Sequence, residues 1–294
     1  MKFFIYSKLL KEADIPYVQD LIDVMKEQEI QYALYEPYAD QLKAQNLIDD
    51  TNHTVNSNKS LVEFSPDMVM TLGGDGTILS AIDMVRDSGF PIMGVNLGRL
   101  GFLSSIEKVK IKEVVRAVVK NEFNTEPRAM LQLGCNLPLF ESLPYALNDF
   151  TLHKRDTSSM VTIHTYVNDK FLNSYWADGI VVSTATGSTG YSLSCGGPII
   201  FPTSGNIVIT PVAPHNLNVR PIVLSENSKI TFEIEGRSEN FLCTLDSRYE
   251  TITSEHRISI EKAAFSVNLA HPKEVTFMKT IRGKLMWGLD RRNH

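Results

Sequence analysis

The apolar residues of this chain change their period once, near its middle, and that change bounds what the chain can fold into. Up to residue 119, short apolar runs alternate with segments whose apolar residues recur at helical spacing. Residues 2–7 read as a strand, and Val18, Leu21, Ile22 and Met25 line one helical face behind Asp14 and Pro16. Residues 31–35 supply a further strand and 38–44 a short helix, while the Asn- and Ser-rich stretch 51–60 reads as a surface loop. The run DMVMTL at 67–72 is an apolar strand, 77–87 a helix carrying Ile78, Ile82 and Val85, and 92–95 another strand. A helix with Val114, Val115, Val118 and Val119 closes this series. Strands alternating with helices imply a parallel sheet covered on its faces.

From about 127 to 270 the period is 2, as in Val161-Thr-Ile-His-Thr-Tyr-Val167 and Ile230-Thr-Phe-Glu-Ile234. Asn168-Asp169 and Glu235-Gly236 are turn candidates, and helical periodicity is nearly absent. The expected fold is an α/β N-terminal domain with a parallel sheet over 1–123 and a mainly antiparallel all-β C-terminal domain over 124–270. The tail 271–294, with mixed apolar and basic residues, is expected to pack back on the first domain. Two domains also suit 294 residues, at about 100 to 200 residues per domain.

The hydrophobic share of 43% and charged share of 21% are those of a soluble globular chain. A net charge of −5 argues against a large nucleic-acid surface, which needs a surplus of Lys and Arg facing phosphates. A small-molecule partner is expected instead. Residues 1–7 carry an apolar run too short for a signal peptide, and no run approaches the roughly 20 apolar residues of a membrane span. Cys135, Cys195 and Cys243 are odd in number and lack metal-site spacing, which suits small buried residues in a reduced cytoplasmic protein.

Gly73-Gly74-Asp75-Gly76-Thr77 joins a buried strand to a helix, so its backbone amides and the helix N-terminus form an anion site suited to phosphate. A side chain in place of a glycine would hold a phosphate away from the backbone. Asp75 is unfavourable among such amides unless it accepts a hydroxyl proton or helps to hold magnesium; the plainer reading is an Asp that caps the helix.

GGDGT resembles the signature of a kinase superfamily that includes NAD, diacylglycerol and sphingosine kinases and, in a near variant, phosphofructokinases. A second segment, Asp178–Pro198 (DGIVVSTATGSTGYSLSCGGP), resembles the NAD kinase pattern DG-(apolar)-T-P-T-G-S-T-A-Y-S, with Ala185 for the usual Pro and Gly190 for the usual Ala. NLGRLGFL at 96–103, Leu147-Asn148-Asp149 and PVAPHNLNVRP at 211–221 resemble further elements of that family, in the same order. The resemblance covers roughly 67–225, with a weaker echo in the tail.

The resemblance implies a kinase that phosphorylates the adenosine ribose 2′-hydroxyl of NAD with ATP or polyphosphate. Asp75 would take the hydroxyl proton, and Gly73, Gly74, Gly76 and Thr77 would face phosphates. NAD would contact Asp75, Gly76, Asn148, Asp149, Asp178, Thr186, Thr189, Gly190, Tyr191, Ser194 and Ala213, with Asp178 at the nicotinamide end and the Tyr191 ring offered to adenine. Magnesium would be held mainly by the nucleotide phosphates, and the dinucleotide is expected between the two domains. The family also implies a homo-oligomer, a dimer or tetramer. Read alone, Asn148-Asp149 is a bulge or turn, Tyr191 a core ring, and His215 a structural hydrogen-bonding residue. The alternatives are a lipid kinase sharing the turn, for which no basic amphipathic helix is seen, and a dinucleotide sensor without turnover, against which the carboxylate of Asp75 stands. Trp176 stands where many members carry Arg, and Asp246-Ser247-Arg248 where the family has Asp-Gly-Gln.

Overall fold

The structure, a computed structural model, describes residues 1–50, 52–98, 101–155 and 160–287. Thr51 of the expected loop, Arg99 and Leu100 of NLGRLGFL, and the end of the tail from Gly288 lie outside the described residues. The chain divides into two compact units, the first made of Met1–Pro127 with the segment from Val267 onward, the second of Arg128–Ser266.

In the first unit the order is β1 (Lys2–Tyr6), α1 (Ile15–Glu27), β2 (Gln31–Tyr35), α2 (Glu36–Ala44), β3 (His53–Val55), α3 (Asn58–Phe64), β4 (Met68–Leu72), α4 (Asp75–Val85), β5 (Ile92–Asn96), β6 (Ile106–Glu107) and α5 (Ile111–Val119). The strands pair in parallel in the order β3-β2-β1-β4-β5, with β6 on the far side of β5. Every residue of β4 and β5 is buried, as expected of strands covered on both faces. The core joins Phe3 and Ile5 to Val18, Leu21, Ile22 and Met25 of α1 and to Ile111, Val114, Val115 and Val118 of α5. Because the chain builds outward from β1 to β3 and then returns to lay β4 on the other side of β1, the strand order reverses between β1 and β4. In sheets of this kind ligands bind beyond the carboxyl ends of the strands at that reversal, and Gly73–Thr77 leaves the carboxyl end of β4.

Two local readings need correction. The stretch 51–60 is not one loop: it holds β3, and α3 begins at Asn58. The Ser57 hydroxyl accepts the Ser60 amide and the Ser60 hydroxyl accepts the Ser57 amide, so the polar residues that suggested a loop form a capping box. Helix α4 starts at Asp75 rather than Thr77.

The second unit contains β7 (Phe123–Cys135), β8 (Tyr145–Ala146), β9 (Asp149–Lys154), β10 (Val161–Val167), β11 (Lys170–Ala177), β12 (Gly179–Thr184), the four-residue helix α6 (Tyr191–Ser194), β13 (Asn206–Val212), β14 (Ile222–Ser225), β15 (Ile230–Glu235), β16 (Phe241–Leu245), β17 (Arg248–Ile252) and β18 (Ile258–Pro272). One antiparallel sheet runs β14-β13-β12-β9-β16-β17. In the other, β11-β10-β15 continues to the first residues of β18. Phe150 of β9 stacks on Phe232 of β15, with ring centroids 5.6 Å apart, in the apolar layer between them. The last element, α7 (Phe277–Leu285), belongs to the first unit and is capped by the Thr276 hydroxyl, which accepts the Lys279 amide. The division between the units falls inside β7 and β18, whereas the sequence reading draws its limits at 123 and 270.

The β10–β11 hairpin turns on Asn168 and Asp169, whose φ angles of 50° and 62° are those of a type I′ turn. Asp169→Gly removes the strain of the second position and is expected to stabilise the chain by up to about 1 kcal/mol. A rise in the denaturation midpoint checks this, and a fall would count against the turn type.

Candidate active site

The turn after β4 is shaped by two close approaches. Gly73 has a φ of 150°, and a β-carbon there would lie 2.2 Å from the Thr77 hydroxyl oxygen, so the residue must be glycine. Its amide donates to Val95 O at 2.9 Å, and the Thr77 amide to Gly74 O at 2.9 Å. Gly73 and Thr77 thus shape the turn rather than offer amides. The amides of Gly74, Asp75 and Gly76, in the first turn of α4, have no acceptor among the described residues. They are the donors a helix N-terminus leaves open, aimed where an anion is favoured.

Asp75 does not cap α4, whose N-cap is Gly74. Its carboxylate instead reaches the loop after β5. Oδ2 accepts the Phe102 amide at 2.8 Å, and Oδ1 accepts the Leu103 amide at 3.1 Å and the Ser104 amide at 2.8 Å. A β-carbon at Gly101 would lie 1.7 Å from Oδ1, so this grip also requires glycine there. The buried Ser104 hydroxyl donates to Gly73 O at 2.9 Å, and Ser7 at the end of β1 donates to Leu72 O at 2.7 Å. Ser7 and Ser104 were invisible to motif reading: Ser7 follows an ordinary strand, and Ser104 stands one residue past the NLGRLGFL match.

In the second unit the structure gathers several of the expected residues. Thr184, at the end of β12, donates through its amide to Asn148 O at 2.9 Å and through its hydroxyl to Leu147 O at 2.6 Å. A β-carbon at Gly187 would lie 2.2 Å from Asn148 O, so the loop 185–190 lies directly against Asn148. A β-carbon at Gly190 would come within 3.9 Å of Asp149 Oδ2. Asn148, Asp149, Thr186 and Gly190 therefore form one group, with Asn148 half-buried and Asp149 buried. The Thr189 hydroxyl donates to Thr186 O at 3.3 Å. Tyr191 is exposed, with its ring 5.6 Å from that of His153; Ser194 is exposed at the end of α6. Asp178 lies where β9, β12 and β13 meet. Its amide donates to Val212 O at 3.0 Å, its carbonyl accepts the Lys154 amide at 2.9 Å, and its carboxylate pairs with Lys154 Nζ at 2.6 Å. Ala213 follows Val212 in an exposed position with a φ of 44°. Trp176 and His215 stand ring to ring at 4.3 Å, and the His215 amide donates to Trp176 O at 2.9 Å.

The residue that organises this group is Asp246. Its carboxylate accepts the amides of Leu147, Asn148 and Asp149 at 2.9, 2.8 and 3.1 Å, and its own amide donates to Asp149 O at 2.9 Å. Next to it, the Arg248 guanidinium donates to Leu143 O and Tyr145 O. The residues that depart from the family triplet thus hold the segment leading into Asn148-Asp149. Burial raises the Asp246 carboxyl above the ordinary carboxylate range, against the three amides, which lower it. Burial, with the Asp246 charge nearby, pushes Asp149 up to about 7.

A carboxyl whose value rises from 3.8 to about 7 on folding binds its proton more tightly in the folded state. Its stabilisation is fully present below about pH 4 and is lost as the pH climbs to about 7. The thermal midpoint of the chain is expected to fall between pH 5 and pH 8, and that of Asp149→Asn to fall less. Equal slopes for the two proteins would remove Asp149 as the titrating group.

Comparison with known proteins adds to this geometry. Residues 7–123 match a family model described as the ATP-NAD kinase N-terminal domain, and 147–271 one described as the ATP-NAD kinase C-terminal domain. Among curated relatives, the NAD kinase of Cytophaga hutchinsonii is 44% identical over 293 residues, covering 100% of each chain. That of Flavobacterium psychrophilum is 42% identical over 295 residues with the same coverage. The fold is shared with the yeast NADH kinase solved in complex with NADH, at a TM-score of 0.84 and 24% identity over 98% of this chain and 88% of that one.

Proposed function

The chain belongs to the NAD kinase family and phosphorylates NAD, and on that premise we propose how its residues divide the work. The amides of Gly74, Asp75 and Gly76 at the start of α4 receive the phosphates of the donor, taken to be ATP, with polyphosphate as the other candidate. Asp75 accepts the proton of the adenosine ribose 2′-hydroxyl. The observation that carries this assignment is the three-amide grip on its carboxylate. It fixes the side chain in one orientation and leaves Oδ2, with one donor against two at Oδ1, as the oxygen open to a hydroxyl. The 2′-oxygen then attacks the terminal phosphorus, and the bond to the bridging oxygen of the donor breaks. Such a transfer needs positioning and charge neutralisation more than covalent help.

Asn148 and Asp149 bind NAD by directed hydrogen bonds, and Thr186, Thr189, Gly190, Tyr191 and Ser194 form the wall beside them, with Tyr191 presenting its exposed ring to adenine. Asp178 serves the nicotinamide end, where the ion pair with Lys154 holds its carboxylate in place, and Ala213 contacts the dinucleotide through its backbone. Magnesium, which neutralises donor phosphates when bound, would be held mainly by the phosphate oxygens, ligands of the kind that ion takes. Among the described residues no group of three or more His, Cys, Asp or Glu side chains could hold a metal on its own, which suits an ion that arrives with the nucleotide. Cytoplasmic action is supported by three free cysteines and by the lack, among the described residues, of a helix long and apolar enough to cross a membrane. A homo-oligomer, dimer or tetramer, completes the reading.

Asp75→Asn is the direct test. It keeps an acceptor at Oδ1 and sets an NH2 group against the Phe102 amide. NADP formation from NAD, ATP and magnesium, followed with an NADP-specific dehydrogenase, is expected to slow about 10²- to 10⁴-fold. NAD binding should weaken only modestly. A variant that keeps most of its turnover would remove Asp75 as the base.

A further inference from the structure

Helix α7 carries three cations and no acidic residue. Ile281, 3% exposed, anchors it in the first unit. Lys279 and Arg282 are exposed, but Lys284 follows Ile281 by three residues on the same face and is half-buried. Its ammonium sits 5.9 Å from the centroid of the Phe102 ring and has no carboxylate partner among the described residues. An ammonium drawn partly out of water is favoured by an anion, and an aromatic face alone holds it weakly.

Phe102 is the residue whose amide donates to Asp75 Oδ2. Lys284 is thus attached to the loop that Asp75 grips, and Asp75 stands between Gly74 and Gly76, whose amides with its own are the open ones at the start of α4. Those amides carry only partial charges and share the turn with a carboxylate, so several phosphate negative charges brought there need cationic neutralisation. Resting on the reading of this turn as the donor-phosphate site, we propose that Lys284 is a further catalytic residue, whose ammonium passes over the Phe102 ring to the phosphate oxygens of the donor. It takes no proton in the transfer. The hydroxyl proton goes to Asp75, the new bond joins the ribose oxygen to phosphorus, and the electron pair of the broken bond stays on the nucleoside diphosphate, whose growing charge Lys284 offsets.

The test uses the full chain with NAD, ATP and magnesium. Lys284→Met keeps an apolar stem over Phe102 and removes the charge, and Lys279→Met on the same helix is the control. For Lys284→Met, kcat/KM for ATP is expected to fall about ten- to a hundredfold, while the Kd for NAD measured without donor and the Tm stay those of the parent. Lys284→Arg should recover part of the loss, and Lys279→Met should show none. A kcat/KM for ATP within twofold of the parent would overturn the proposal, as would a loss matched by equal weakening of NAD binding, since that marks a packing role. Failure of the underlying reading looks different. Gly76→Glu sets a carboxylate among the amides at a position where a β-carbon meets open space, and if the turn does not bind the donor, this variant leaves the KM for ATP unchanged.

Discussion

One carboxylate taking three consecutive backbone amides ties the turn after β4 to the loop after β5 in the first unit. Asp75 sits in the first turn of α4, and Phe102, Leu103 and Ser104 lie 27 to 29 residues further on, after β5. Each such bond to a charged acceptor is worth roughly 1.5–3 kcal/mol, and the three share one side chain, so turn and loop hold or release as a body. Glycines at 73 and 101 flank this contact, and only the second follows from it. One lets the chain leave β4 at a positive φ with Thr77 packed behind it, and the other lets the loop come close enough for its amides to reach the carboxylate. The orientation of the Asp75 carboxylate is set by backbone amides rather than by neighbouring side chains.

The second unit repeats the device with Asp246, which gathers the amides of Leu147, Asn148 and Asp149. The difference is in the neighbours: both residues are partly exposed, but Asp246 lies near a second carboxyl, that of Asp149, and near the Arg248 guanidinium. Burial raises the Asp246 carboxyl, and the Asp246 charge adds to burial in raising that of Asp149.

Much of the architecture was legible because parallel and antiparallel sheets bury their faces differently, and the apolar period records the difference at Val161–Val167 as plainly as at Met68–Leu72. β3 and α3 were not: a three-residue strand has no period to read, and the Ser57–Ser60 cap is made of residues that elsewhere mark loops. GGDGT was legible as a strand-to-helix turn, yet its motif alone does not separate NAD from lipid acceptors; the second, longer segment did that. Residues 102–103 and 147–149 stood out as elements of the resemblance, but their pairing with Asp75 and Asp246 left no trace: a carboxylate that meets backbone amides 27 or 97 residues away imposes no side chain on the donors, so sequence pattern does not display the contact. For the same reason Asp246-Ser247-Arg248 read as a departure from the family pattern, when two of its residues brace the backbone that leads to Asn148-Asp149.

β7 and β18 each contribute residues to both units. Severing the chain within them would cut extended, hydrogen-bonded backbone and strand the remaining half as a raw sheet edge, the kind of surface that recruits another chain. Neither half is therefore a separable module, even though each carries its own core. For anyone wishing to splice, truncate or recombine this protein, the usable seams lie at polar hairpin tips such as Asn168-Asp169, where insertion leaves the ladders whole.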